Sequence, residues 1–382
     1  MKTYTQILIA AFIALLTSTL ASAGEEGSRS KSFSVSKGGT IEVSTSRGDI
    51  RISPWEKNEV SIVVEGLDDE DLDNVKMTQN GNTVRVSYRS RWDDGSGHVR
   101  FAISVPSQFN LDMNTSGGDL EVKGGLTGKI DGSTSGGDIK LGNVFGGPVE
   151  VTTSGGDIST GKIEGDGSLK TAGGDIHVGS VNGSLSVNTS GGNIQVETVT
   201  KSLDAKTAGG DIVIGDVGGE AHVSTSGGDV NVGKVSGKAS LSTAGGDIEL
   251  KGASGKVNAR TSGGDVKLQN ITGAIDAKTA GGEVDAELIP SGKGGSRLSS
   301  SGGDVRLSID ENSKATIEAT IRLDGWGSRK SRYIVKSEFP KDSYETDEEA
   351  DEIRAVYKLN GGGELIELST SNSNIEIHKL RH

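Results

Sequence analysis

Apolar and polar residues alternate in short runs that recur along most of the chain. Around Asp229 the apolar positions are Ala221, Val223, Val230, Val232 and Val235, interleaved with His222, Ser224, Asn231 and Lys234; around Asp265 they are Val257, Ala259, Val266, Leu268 and Ile271. A period of two predicts strands with one face buried and the other in water. In each run a Gly-Gly pair and an acidic or amide residue divide the apolar positions, so one unit holds two short strands and a bend. The unit recurs eleven times, its last residue being Asp119, Asp138, Asp157, Asp175, Asn193, Asp211, Asp229, Asp247, Asp265, Glu283 and Asp304, at spacings of 19, 19, seven of 18 and one of 21. Self-similarity of this kind marks a stacked repeat architecture.

A unit of this length cannot close a core alone, because a handful of buried aliphatic side chains does not offset the entropy of ordering the whole segment. Stacking on neighbours must supply the rest. The expected fold is all-β: a single-stranded parallel β-solenoid (β-helix) with about 18 residues per rung and rungs about 4.8 Å apart. Serine and alanine alternate three residues before the acid, from Ser154 and Ala172 to Ala280 and Ser301, which leaves a 36-residue rung as the alternative. The bends are assigned to Gly117 and Gly118, Gly136 and Gly137, Gly155 and Gly156, Gly173 and Gly174, Gly191 and Gly192, Gly209 and Gly210, Gly227 and Gly228, Gly245 and Gly246, Gly263 and Gly264, Gly281 and Gly282, and Gly302 and Gly303. The expected reason for glycine is access to positive φ.

Asp49 shares this phase, with Ile41, Val43 and Thr45 before it and Ile50 and Ile52 after it; Arg47 stands where the first glycine would be. The tripeptide Arg47-Gly48-Asp49 therefore reads as a turn of the array and not as a cell-attachment signal. A degenerate unit from Ile366 to Ile375 closes the chain, with Asn374 in the place of the acid. Asp49 to Asp119 and Asp304 to Asn374 each span 70 residues. The first interval predicts strands at Val60 to Val64 and His98 to Val105, and a hairpin through Asn80-Gly81-Asn82. The second predicts strands at Ala315 to Leu323 and Tyr333 to Val335, with Asp342 to Glu352 a loop or short helix. Both are expected to form antiparallel β caps over the exposed rungs. The expected divisions are a leader at 1–23, an amino-terminal β region and cap at 24–110, repeats at 111–309, and a carboxyl-terminal β region and cap at 310–382.

The leader is read from Lys2, an apolar run from Ile7 to Leu16, and Ala21-Ser22-Ala23 as a cleavage site, so the product is expected to be exported to the periplasm, cell surface or medium. No later stretch is long and apolar enough to span a bilayer. Losing residues 1–23 removes one basic residue and no acid, leaving 39 Lys+Arg against 53 Asp+Glu, a net of −14. That sign disfavours nucleic acid and anionic membranes. The chain has no cysteine, which excludes disulfides, thiolate metal sites, cysteine nucleophiles and a lipid-modified amino-terminal cysteine.

The recurrent (S/T)-(S/A)-G-G-D-(I/V) unit, from about Ile41 to the closing "STSNSNIEIHKL", resembles the bacterial "putative-adhesin" family of unknown function with β-strand repeats. The resemblance implies the repeat fold and a binding role; it carries over no catalytic residue.

The aligned acids are the main candidate chemistry. Carboxylates about 5 Å apart repel by roughly 1–3 kcal/mol, so each needs compensation. Either each accepts backbone N–H groups of its own turn, or Ca²⁺ sits between turns on Asp119, Asp138, Asp157, Asp175, Asp211, Asp229, Asp247, Asp265 and Asp304. Asn193 and Asn374, which keep the acceptor oxygen without the charge, favour hydrogen bonding, and no cofactor is expected. His98, His177, His222, His378 and His382 show no metal-ligand spacing. A carbohydrate-active β-helix enzyme is the rival class, but uniform spacing leaves no insertion to wall a cleft, and no serine nucleophile has an evident base. Ice binding fails because the threonine column shares its phase with the buried aliphatics. The expectation is a non-catalytic adhesion, binding or structural surface of the cell envelope, with a protein or glycan partner.

Overall fold

The computed structural model describes residues 28–90, 98–292, 294–323, 332–347 and 351–381; the expected leader lies outside them. Two long sheets face each other across one hydrophobic core. In the middle of the array one sheet stacks Ile176–Val181, Ile194–Val199, Ile212–Val217 and Val230–Val235 in parallel, with Ile176, Ile194, Ile212 and Val230 in register. The other stacks Leu185–Asn188, Leu203–Lys206, Ala221–Ser224 and Ala239–Ser242, with Leu185, Leu203, Ala221 and Ala239 in register. Partners along both ladders are 18 residues apart here and 19 apart nearer the amino end, as in Ile130 against Val149. Branched aliphatics at alternate positions do this because the interior is narrow: Val223, Val230 and Ile212 are fully buried, while His222 and Asn231 between them face out.

The ends depart from a simple run of coils. Thr83–Tyr88 and Arg100–Pro106 form a level that lies outside Gly39–Thr45 and Asp49–Trp55, parallel to both. The next segment, Phe109–Thr115 and Leu120–Val122, pairs with the opposite edge of that same level. In space the order is 83–88 with 100–106, then 39–55, then 109–122. The carboxyl end mirrors it: Glu364–Ser371 and Ile375–Lys379 sit between the level at 296–309 and the level formed by Ala315–Arg322 and Val335–Ser337, parallel to both neighbours. Each 70-residue interval is thus an excursion that builds an extra level beyond its neighbour and returns in phase.

Antiparallel strands lie at both ends of the two sheets. Ser28–Ser34 pairs with Glu59–Glu65, Lys76–Asn80 with Thr83–Tyr88, and Ala315–Arg322 with Glu352–Leu359. On the terminal strand Ser28–Ser34, Arg29 Nη1 donates to the Leu72 carbonyl (2.8 Å) and Lys31 Nζ to the Met77 carbonyl (3.0 Å). Charges reaching across the stack in this way obstruct further strand addition. The expected loop or helix at Asp342 to Glu352 is corrected in part: Ser343–Asp347 is a strand antiparallel to Glu352–Leu359, and residues 348–350 lie outside the described residues. Its register sets Tyr344 against Ala355 and Thr346 against Ile353, a pairing that the acidic composition hides. A helical turn, Asp69–Leu72, is an addition; Asp68 caps it by accepting the Asp71 N–H at 2.8 Å.

Candidate functional site

The Gly-Gly-Asp corner is the most regular chemical feature of the molecule. Three consecutive residues form it, and the acid among them reaches the backbone of the next level. Asp138 Oδ1 accepts the backbone N–H of Asp157 (3.0 Å), Asp157 that of Asp175 (2.8 Å), and Asp175 that of Asn193 (2.7 Å). The ladder continues through Asn193 Oδ1 to Asp211 (2.9 Å), then from Asp211 to Asp229, Asp229 to Asp247 and Asp247 to Asp265. It reaches the displaced terminal levels as well: Asp49 Oδ1 accepts the Asp119 N–H (3.1 Å) and Asp304 Oδ1 the Asn374 N–H (2.7 Å). The expectation that each carboxylate serves its own turn is therefore corrected. Each one pins the next turn, so the column ties levels together. Glu283 breaks the ladder on its acceptor side. It is one methylene longer, and its carboxylate bonds Arg306 instead.

Threonine four residues before the acid completes the corner. Thr243 Oγ1 donates to the Gly228 carbonyl of the level below (2.8 Å) and accepts the Gly246 N–H of its own turn (3.3 Å). The same pair of bonds recurs at Thr134, Thr153, Thr171, Thr189, Thr207, Thr261 and Thr279. These hydroxyls are buried, so a buried carbonyl and a buried N–H are each satisfied. In the Gly-Gly-Asp corners of the array neither glycine has positive φ; among the described residues at this position of the repeat only Gly48 does, at 102°. The reason for glycine is contact. A Cβ on Gly228 would lie 2.3 Å from the Gly210 oxygen and 2.4 Å from Asp211 Oδ1, and one on Gly137 would lie 2.2 Å from the Gly118 oxygen.

The Asp157 N–H holds the Asp138 carboxyl below its ordinary value of 3.8; burial opposes this and Lys140 adds to it. A carboxyl whose folded pKa is depressed stabilises the fold above the unfolded value, and that stabilisation is lost as pH falls through the folded one. Melting temperature is therefore expected to fall with acid below about pH 4, and less steeply in Asp138→Asn, as followed by circular dichroism. Because Oδ1 is the working atom, Asp229→Asn is expected to melt within about 0.5 kcal/mol of the parent, whereas Asp229→Ala loses about 1–3 kcal/mol. Chemical denaturation of both variants, with and without Ca²⁺ or chelator, checks this. Among the described residues no three His, Asp or Glu side chains are grouped to hold a metal.

Arg47-Gly48-Asp49 is engaged within the chain. Arg47 Nη2 is 3.2 Å from Asp71 Oδ2, which also accepts the Tyr88 hydroxyl at 2.9 Å, and Asp49 holds the Asp119 N–H.

The outward columns carry the variable chemistry. Ser186, Asp204, His222 and Ser240 lie in register on four successive strands and line a shallow groove of about 470 Å³ with Asp166, Glu220 and Lys238. Sequence spacing did not reveal that an acid and a serine flank His222; only the 18-residue register brings them together. Asp204 Oδ2 accepts from Lys206 Nζ at 2.9 Å, along its own strand. A second groove, of about 510 Å³, runs over the carboxyl end, where Arg297 meets Glu367 (2.6 Å) and Arg354 meets Glu352 (2.7 Å). His177 and His222 face out from the two sheets, His98 lies ahead of Arg100–Pro106, and His378 Nε2 is 3.4 Å from Glu376 Oε2. His382 lies outside the described residues.

In fold the chain is similar to a "putative adhesin" from Bacteroides fragilis, at 16% identity over 66% of this chain and 98% of that one, with a TM-score of 0.27. A "putative adhesin" from Parabacteroides distasonis matches at 16% identity over 69% and 98%, with a TM-score of 0.30. A "putative lipid binding protein" from the same organism matches at 13% identity over 93% and 98%, with a TM-score of 0.25. No curated protein matches the chain. The Toastrack DUF4097 family model matches residues 39–215 and 183–325, which together span most of the chain. This protein belongs to the Toastrack DUF4097 family.

Proposed function

We propose that the protein is exported and serves the cell envelope as a rigid, non-catalytic surface for adhesion or binding, with an envelope or extracellular protein or glycan as partner. The observation that carries this reading is the division of labour across each strand. Inward and corner positions repeat from level to level, while the outward column Ser186, Asp204, His222, Ser240 changes at every step. A surface that varies on an invariant frame suits a long, shallow contact. Exposed large apolar side chains are few and scattered among the described residues: Val213, Ile334, Tyr344 and Leu365. The acidic balance points away from nucleic acid. We read the (S/T)-(S/A)-G-G-D-(I/V) unit as one 18-residue rung, the antiparallel strands at 24–110 and 310–382 as caps, and 111–309 as the display region. Among the described residues no helix is long and apolar enough to cross a membrane.

The test joins cell fractionation with crosslinking in intact cells and a glycan screen for product release. Retention in the envelope fraction, with one crosslinked partner lost on charge reversal in an outward column, is expected. Release of cleaved glycan by the purified protein, abolished in His222→Ala, would replace this reading with the enzymatic one.

A further inference from the structure

At the carboxyl end the order of levels along the stack differs from their order along the chain. Glu364–Ser371 and Ile375–Lys379 hydrogen-bond to 296–309 on one side and to 315–322 and 335–337 on the other. A ladder cannot close on both sides of a segment that has not arrived, so Ala315–Arg322 and Val335–Ser337 dock only once Glu364–Ser371 and Ile375–Lys379 are in place. Until then the level at 296–309 presents two unpaired strand edges. The segment that fills this slot carries its own address on both flanks. Glu367 meets Arg297 at 2.6 Å, and Lys336 Nζ donates to Glu376 at 3.2 Å. The Asn374 N–H donates to Asp304 (2.7 Å), while Asn374 Oδ1 accepts from the Ile334 N–H (3.2 Å). Ahead of it Asn360, Gly361 and Gly362 have φ of 51°, 87° and 85°, a turn that crosses the start of Ala315–Arg322 and can open as a hinge.

We propose that the slot is a strand-acceptor site that residues 364–381 of a second copy of this chain can fill, exchanged reciprocally about the hinge at 360–363. The address is specific for this segment, which selects the same chain as partner. The tether through residues 310–363 gives the chain's own tail an effective concentration on the order of 1 mM, so exchange competes when refolding takes place near that concentration.

The chain has no cysteine, and Ser299 and Ser369 are register partners across the slot, within reach of a disulfide. The full chain carrying Ser299→Cys and Ser369→Cys is refolded at roughly 5 μM and roughly 500 μM, below and near the effective concentration, and oxidised. Interchain-linked dimers at least about tenfold more abundant at the higher concentration are expected. Intrachain linkage alone at both concentrations, or dimers held together without this linkage, would overturn the proposal. Should the cysteines impair folding, unmodified chains bearing two different tags are compared. Mixed dimers that form on co-refolding and not on mixing folded chains support exchange; mixed dimers that form equally by both routes refute it.

Discussion

Gly228→Ala is expected to lower stability by about 3 kcal/mol, whereas Gly136→Ala is expected to stay within about 0.5 kcal/mol of the parent or to gain slightly from a less flexible unfolded chain. Both glycines belong to Gly-Gly pairs of the array and neither has positive φ, so conformational freedom does not separate them. Space does. A Cβ on Gly136 meets nothing within 4 Å, while one on Gly228 lies 2.3 Å from the Gly210 oxygen. That oxygen cannot swing aside, because Thr225 Oγ1 donates to it at 2.9 Å, and the adjoining Asp211 Oδ1 holds the Asp229 N–H at 2.9 Å. Making room means prising two levels apart and breaking both bonds. Urea midpoints of the two variants decide the matter, and equal losses would show that the stacked corner is not as tight as the contacts indicate.

The contrast also shows what a sequence of this kind reveals. The alternation of Ala221, Val223, Val230, Val232 and Val235 was legible because a thin interior admits only small branched side chains at every second position, and each of them is buried. The threonine column was legible as inward for the same reason of phase. Glycine was not: both a positive φ and a missing Cβ call for the same residue, so the letter G cannot say which applies. The acid column hid its direction likewise, since a carboxylate that accepts from its own turn and one that accepts from the next look the same in a repeat. Asn193 is the position that favours hydrogen bonding in either case, and its Oδ1 does accept the Asp211 N–H. The candidate surface was least legible. Asp204 and Ser240 stand 18 residues to either side of His222 in register, and a residue's neighbours across levels become readable only once the rung length is known. Permuted levels at the ends are harder still, because periodicity is silent about stacking order. The one available clue was that Asn374 returns in phase with Asp304 after 70 residues, as Asp119 does with Asp49.

That permutation makes the tail the keystone of its end of the stack. A chain that stops at Gly363 is expected to lose the outer level as well as the tail, with protease trimming back to about residue 310 and aggregation at temperatures the full chain survives. The missing segment takes with it Ile366, Leu368, Ile375 and Ile377, which are 0%, 1%, 0% and 0% exposed; at roughly 1.5–3 kcal/mol per side chain this removes about 6–12 kcal/mol of burial. The strands Ala315–Arg322 and Val335–Ser337 have their parallel contacts with 364–379, not with 296–309, so they are left without an inner partner. The array from 39 to 309 should persist, because each coil of a solenoid depends chiefly on its neighbours. Limited proteolysis and hydrogen exchange on the shortened chain distinguish the possibilities. If 315–322 and 335–337 kept their protection and the melting temperature were unchanged, that level would have to dock directly on 296–309, and the tail would be an addition to a stack already closed.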